Sequence, residues 1–165
     1  MKKCILISVL SLVLTIAWGG QVLAQPQKEM TLTGTNYSGG SGKRVQLDQD
    51  HSVSQLEYMG VRVDDSGGGP FHGISTHIML IAYADKGGRR FRGYETHTDK
   101  DGDKVVWEIM DSPASPGTGT GVIIGATGKF TGMQGAMEFK LQFPKPFPEG
   151  TIRLVCREVM KITTK

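Results

Sequence analysis

Residues 125–143, GATGKFTGMQGAMEFKLQF, decide the fold. From Met133 onward the stretch alternates. Met133, Gly135, Met137, Phe139, Leu141 and Phe143 fall on one face, and Gln134, Ala136, Glu138, Lys140 and Gln142 on the other. A period of two over this length predicts a strand with one face buried. The first half, punctuated by Gly125, Gly128 and Gly132, predicts a tight turn, because glycine beside a strand marks a bend or a close backbone approach.

Working outward, the same kind of signal recurs. Strands are expected at 28–37, 44–47, 54–63, 74–84, 89–97, 105–110, 133–143 and 151–162, with Gly- and Pro-rich loops at 38–42, 64–70 and 112–121. Val53, Met59, Val61 and Val63 share a parity. Residues 74–84 are apolar on both parities, as in a strand covered on both faces, although periodicity alone also allows a short buried helix. Asp101-Gly102 predicts a two-residue type I′ hairpin turn. The prolines at 144, 146 and 148 place 143–150 outside any ladder. No long helical period or internal repeat is present. The expected fold is all-β, a single closed antiparallel barrel of about eight strands, since closure removes exposed edges.

Residues 1–24 read as a secretory signal peptide: basic Lys2-Lys3, an apolar stretch, then Val22-Leu23-Ala24 as a small-residue cleavage site. The apolar stretch is shorter than the roughly 20 residues a membrane span needs. The expected route is export to a bacterial periplasm or the extracellular space, leaving 25–165 as one barrel domain with no membrane attachment. The whole chain has 19 Lys+Arg against 16 Asp+Glu, and the leader removes two lysines. The remainder is near neutral, without the basic footprint of a nucleic-acid binder. The other cysteine, Cys156, has no partner within the domain and is expected to be buried.

Thr127-Gly128-Lys129-Phe130-Thr131-Gly132, followed by Gly135, resembles the glycine-rich turn of the allene oxide cyclase and dirigent group of β-barrels. Gly69-Pro70-Phe71-His72, Gly93-Tyr94 and the run 99–104 (DKDGDK) are similar to secreted bacterial proteins near that group. The resemblance implies a closed barrel with an apolar interior, often homo-oligomeric. It assigns no catalytic residue.

Several constellations could carry chemistry. Asp99, Asp101 and Asp103 imitate the start of a calcium loop, but glycine is the fourth residue and Met110 the twelfth, where an EF-hand needs glycine sixth and glutamate twelfth. The expectation is a solvated turn. Of the histidines, 51, 72, 77 and 97, none has zinc-motif spacing. Glu95 and His97 share a strand face, and a three-residue turn at 86–88 would bring His77 beside them. A two-residue turn instead places His77 beside Tyr94 and Thr96. On that register the preferred inward face gathers His77, Met79, Ile81, Tyr94, Val105, Trp107 and Ile109, with Arg90 and Arg92, which must reach the barrel mouth or pair. No metal site is expected.

On the closing strand, Glu158 shares a parity with Ile152, Leu154, Cys156, Met160 and Ile162. Facing inward, it would be a carboxylate of raised pKa able to anchor a ligand or exchange a proton. At a strand end or beside an arginine it would be structural. No nucleotide loop, G-x-S-x-G or serine triad is present, and no cofactor is implied. The expected ligand-contacting residues are His77, Tyr94, Trp107 and Glu158. A non-enzymatic barrel binding a small, largely apolar molecule is the first reading. A cyclase or isomerase using Glu158 or His77, and a filled structural barrel, are the alternatives.

Overall fold

The computed structural model describes residues 27–144 and 152–164. The expected leader, and most of the proline-rich connection, lie outside the described residues. Strands β1 (Lys28–Gln46), β2 (Ser52–Asp64), β3 (Ile74–Asp85), β4 (Gly88–Thr98), β5 (Lys104–Asp111), β6 (Thr118–Ala126), β7 (Gln134–Gln142) and β8 (Ile152–Thr164) follow one another round a closed barrel. Every neighbouring pair is antiparallel, and β8 closes on β1. A 3-10 turn, Gly128–Phe130, precedes β7. Alternation works as physics requires: Met133, Met137 and Phe139 are buried, while Gln134, Glu138 and Lys140 are exposed.

The number of strands matches expectation, but its members differ. Residues 38–42 are not a loop, because β1 runs through them as one strand, with Gly40 paired to Tyr58 and Gly42 to Leu56. Conversely, β6 (Thr118–Ala126) takes the last four residues of the expected loop 112–121 and runs on to Ala126. Its inward positions include Gly119 and Gly121, while Val122 and Ile124 face out. The missing side chains on β6 are supplied by its neighbours. A Cβ on Gly119 would meet the Phe139 ring at 2.3 Å, so the strand is defined by what it makes room for.

Facing is decided by the β4–β5 hairpin. Asp101 has no positive φ, so the turn is not type I′. The Gly102 N–H donates to the Asp99 carbonyl (3.1 Å), the Asp99 N–H donates to the Asp103 carbonyl (3.0 Å), and Gly102 has φ 86°. That is a three-residue loop: a type I turn followed by a left-handed glycine. The Asp99 carboxylate holds it by accepting the N–H groups of Asp101 and Asp103, each at 2.9 Å. The extra residue pairs Trp107 with Glu95 instead of Thr96. A one-residue slip exchanges the faces of a strand. Glu95 and His97 therefore point inward beside Trp107, and Tyr94 points out.

The β3–β4 turn is the two-residue one, pairing His77 with Thr96 and Met79 with Tyr94. That whole face is nevertheless the outer one, which corrects the preferred inward set. Met79, Ile81, Tyr94, Arg90 and Arg92 are exposed, and His77 is half-buried against Glu57 at 2.7 Å. Thr76, Ile78, Leu80 and Ala82 take the interior. A strand apolar on both parities carries no sign of which side is in.

The Thr127–Phe130 motif closes one end of the barrel. Thr127 exchanges two hydrogen bonds with Lys104, its N–H donating to the Lys104 carbonyl and its Oγ1 accepting the Lys104 N–H, both at 2.8 Å. Gly128 leaves room for the Asp103 carboxylate, which accepts the Lys129 N–H at 3.1 Å. The Lys129 ammonium sits between Asp99 and Asp101 and holds the Asp99 carboxyl below its usual range. Phe130 stacks on Phe71 with centroids 5.6 Å apart. A calcium titration is expected to find no site at this hairpin, since an ammonium already takes the position a cation would use. A sub-micromolar site abolished by Asp101→Ala would overturn this.

Candidate functional site

Two interior features could carry function. The first is a polar cluster beneath Phe71 and Phe130. β1 contributes Asn36 and Ser38, β2 Arg62 and Asp64, β3 Thr76, β4 Glu95 and His97, and β8 Glu158, all buried. Each shares its parity with core residues of its strand. On β2 the inward sequence reads Leu56, Tyr58, Gly60, Arg62, Asp64. Isolated charges inside a protein are costly unless paired, and pairing is what the cluster provides. Arg62 Nε donates to Glu158 Oε2 at 2.8 Å, and its Nη1 donates to Asp64. Asn36 Nδ2 donates to Glu95 Oε1 at 2.7 Å, and its Oδ1 accepts Ser38 Oγ (2.7 Å) and Thr76 Oγ1 (3.0 Å). His97 Nε2 lies 2.9 Å from Glu95 Oε1.

The pairing is incomplete. Glu158 Oε1, Asp64 Oδ2, Arg62 Nη2, His97 Nδ1 and Trp107 Nε1 are buried without a hydrogen-bond partner. Burial, and then repulsion from Glu95, pushes the Glu158 carboxyl well above the usual carboxylate range, against the pull of Arg62. Burial likewise pushes the Cys156 thiol up, with Glu158 and Glu95 adding to it, which disfavours the thiolate. Phe71 seals the cluster: it lies edge-on to His97 (5.4 Å) and 5.8 Å from the Arg62 guanidinium carbon.

The second feature is a cavity of about 260 Å³ at the opposite end. Its floor is the inward Leu56, Tyr58, Leu80 and Leu154, and its rim comes from the β3–β4 turn and the β5–β6 loop. Asp111 is committed to structure, accepting the Phe91 N–H at 3.0 Å, while Arg89 stands at the rim.

Of the four residues expected to contact a ligand, Trp107 and Glu158 are inside and His77 and Tyr94 outside. Neither interior residue lines the mouth cavity. Sequence reasoning left out Asn36, Arg62 and Asp64, and set Glu95 and His97 aside. The readable signal was parity: Arg62 and Asp64 continue the Leu56–Tyr58 face, a polar pair where an interior residue belongs.

No protein-family model and no curated protein matches this chain. Among solved structures, a pterocarpan synthase dirigent protein superposes with a TM-score of 0.52 at 13% identity, covering 86% of this chain and 88% of its own. A second pterocarpan synthase dirigent protein gives 0.49 at 12% identity, covering 86% and 97%. The closed eight-stranded barrel implied by the glycine-turn resemblance is therefore the fold this chain has, and it is the fold of the dirigent barrels.

Proposed function

We propose that this chain is an exported barrel that binds a small, largely apolar molecule at its mouth without transforming it. The mouth cavity carries this reading. It is walled by aliphatic and aromatic side chains, with few polar groups at its edge, the composition of a ligand pocket. Its volume of about 260 Å³ lies below the roughly 300–1,000 Å³ of drug-sized sites, so the ligand is compact. Arg89 at the rim would meet an acceptor or anionic group on an otherwise apolar body. Glu95, His97 and Glu158, the groups equipped for proton transfer, do not line the cavity, which favours binding over catalysis. The likeness to a dirigent protein concerns the fold alone, and nothing is carried over about that protein's role or substrate.

The test begins with protein taken from the exported fraction, whose intact mass should lack residues 1–24. Titration with the neutral fluorophore N-phenyl-1-naphthylamine should then saturate. Leu80→Trp, which fills the cavity from its wall, should weaken binding about tenfold or more. Tyr94→Ala, on the outer face, should leave it unchanged. A retained leader would remove export from the proposal. Dye binding that is absent, or indifferent to Leu80→Trp and lost with Tyr94→Ala, would remove the mouth site.

A further inference from the structure

We propose that Glu95, His97 and Glu158 form a site for one divalent transition-metal ion of the zinc type, buried in the barrel and separate from the mouth cavity. One ligand atom from each residue lies within 4.8 Å of the other two, and all three residues are buried. Glu95 and His97 stand two apart on the inward face of β4, and Glu158 approaches from β8.

Two observations beyond this clustering point to a cation. Glu158 Oε1 is buried without a hydrogen-bond partner and keeps lone pairs to offer, and His97 faces Glu95 through Nε2 at 2.9 Å, the ring nitrogen that a cation between them would take. Carboxyl groups also outnumber their cationic partner: Asp64, Glu95 and Glu158 are buried around one guanidinium, Arg62. A dication would give them a second counter-charge.

The surroundings suit the role. Asn36 orients Glu95 (2.7 Å) and Arg62 orients Glu158 (2.8 Å), the hydrogen-bonded outer shell that holds metal ligands in place. Asp64 takes the other side of Arg62 and offsets its charge. One imidazole with two carboxylates selects for zinc-type ions, because calcium and magnesium take oxygen ligands. Zinc–ligand bonds of about 2.0–2.2 Å set ligand atoms roughly 3.3 Å apart, which lies between the 2.9 Å of His97 Nε2 to Glu95 Oε1 and the 4.8 Å span of the three ligand atoms, so small side-chain rotations suffice. Because Phe71 and Phe130 cover the site, loading belongs to folding.

The experiment refolds the wild-type protein with zinc, desalts it, and measures bound metal by mass spectrometry and ligation by X-ray absorption. The expected result is one zinc per chain in a nitrogen and oxygen shell containing one imidazole, with a raised melting temperature relative to protein refolded in chelator. His97→Phe should lose the zinc, whereas His51→Ala, His72→Ala and His77→Ala should retain it. No retained zinc in the wild type, a sulfur ligand from Cys156, or retention by refolded His97→Phe would each overturn the proposal. If His97→Phe does not refold, the wild-type stoichiometry and absorption spectrum decide alone.

Discussion

Arg62→Met is expected to destabilise the barrel by about 3–5 kcal/mol, the range for stripping the partner from a buried charge. Methionine fills much of the same space, so the loss is electrostatic more than steric. Arg62 is fully buried and pairs at once with Asp64 and Glu158. In metal-free protein, Asp64 and Glu158 then remain near Glu95 without their guanidinium partner, and they must be protonated or admit water. Chemical denaturation of the two proteins, compared by midpoint at equal slope, measures the effect. Adding Glu158→Gln to Arg62→Met should recover part of the loss, because it removes one of the stranded charges. A loss below about 1 kcal/mol would mean that the cluster is solvated.

Phe71→Ala is expected to cost about 3–5 kcal/mol by loss of apolar burial and creation of a cavity. The position makes the consequence specific. Phe71 is completely buried, stacks on Phe130, meets His97 edge-on and lies 5.8 Å from the Arg62 guanidinium carbon. Its removal opens a path from solvent to the polar cluster. Trp107, the only tryptophan after the expected leader, lies behind it with its ring 6.1 Å from His97. Acrylamide should quench Trp107 weakly in the wild type and distinctly more in the still-folded variant. Equal quenching would show that Phe71 is not the seal. Phe91→Ala, at the opposite end against Phe139 (6.1 Å), should not raise the quenching.

Parts of this molecule were legible residue by residue. The alternation in β7 and β8 named its own buried side, because each strand gathers its largest apolar groups on one parity. The Thr127–Phe130 motif announced a tight structural turn, and all four of its residues serve that turn. Thr127 and Lys129 bond, Gly128 yields space, and Phe130 plugs the barrel end. β6 was less readable because its inward positions include glycines while Val122 and Ile124 face solvent, the reverse of the usual pattern. Glu158 was legible as an inward carboxylate, and Arg62 beside it was overlooked although it sits on the parity of Leu56 and Tyr58.

What the sequence determined by itself is the set of local periods: mostly strands, turns at the glycines, and hence an all-β barrel. Those properties depend on neighbours a few residues apart. What only the tertiary structure decided is which faces meet inside. The three-residue loop at Asp99–Asp103, held by one carboxylate accepting two N–H groups, set Glu95 and His97 inward and Tyr94 outward. The cluster then joins Asn36 to Glu95 across 59 residues and Arg62 to Glu158 across 96. Such pairs exist only once β8 has closed on β1, because closure brings strands distant in sequence to the same level of a common interior.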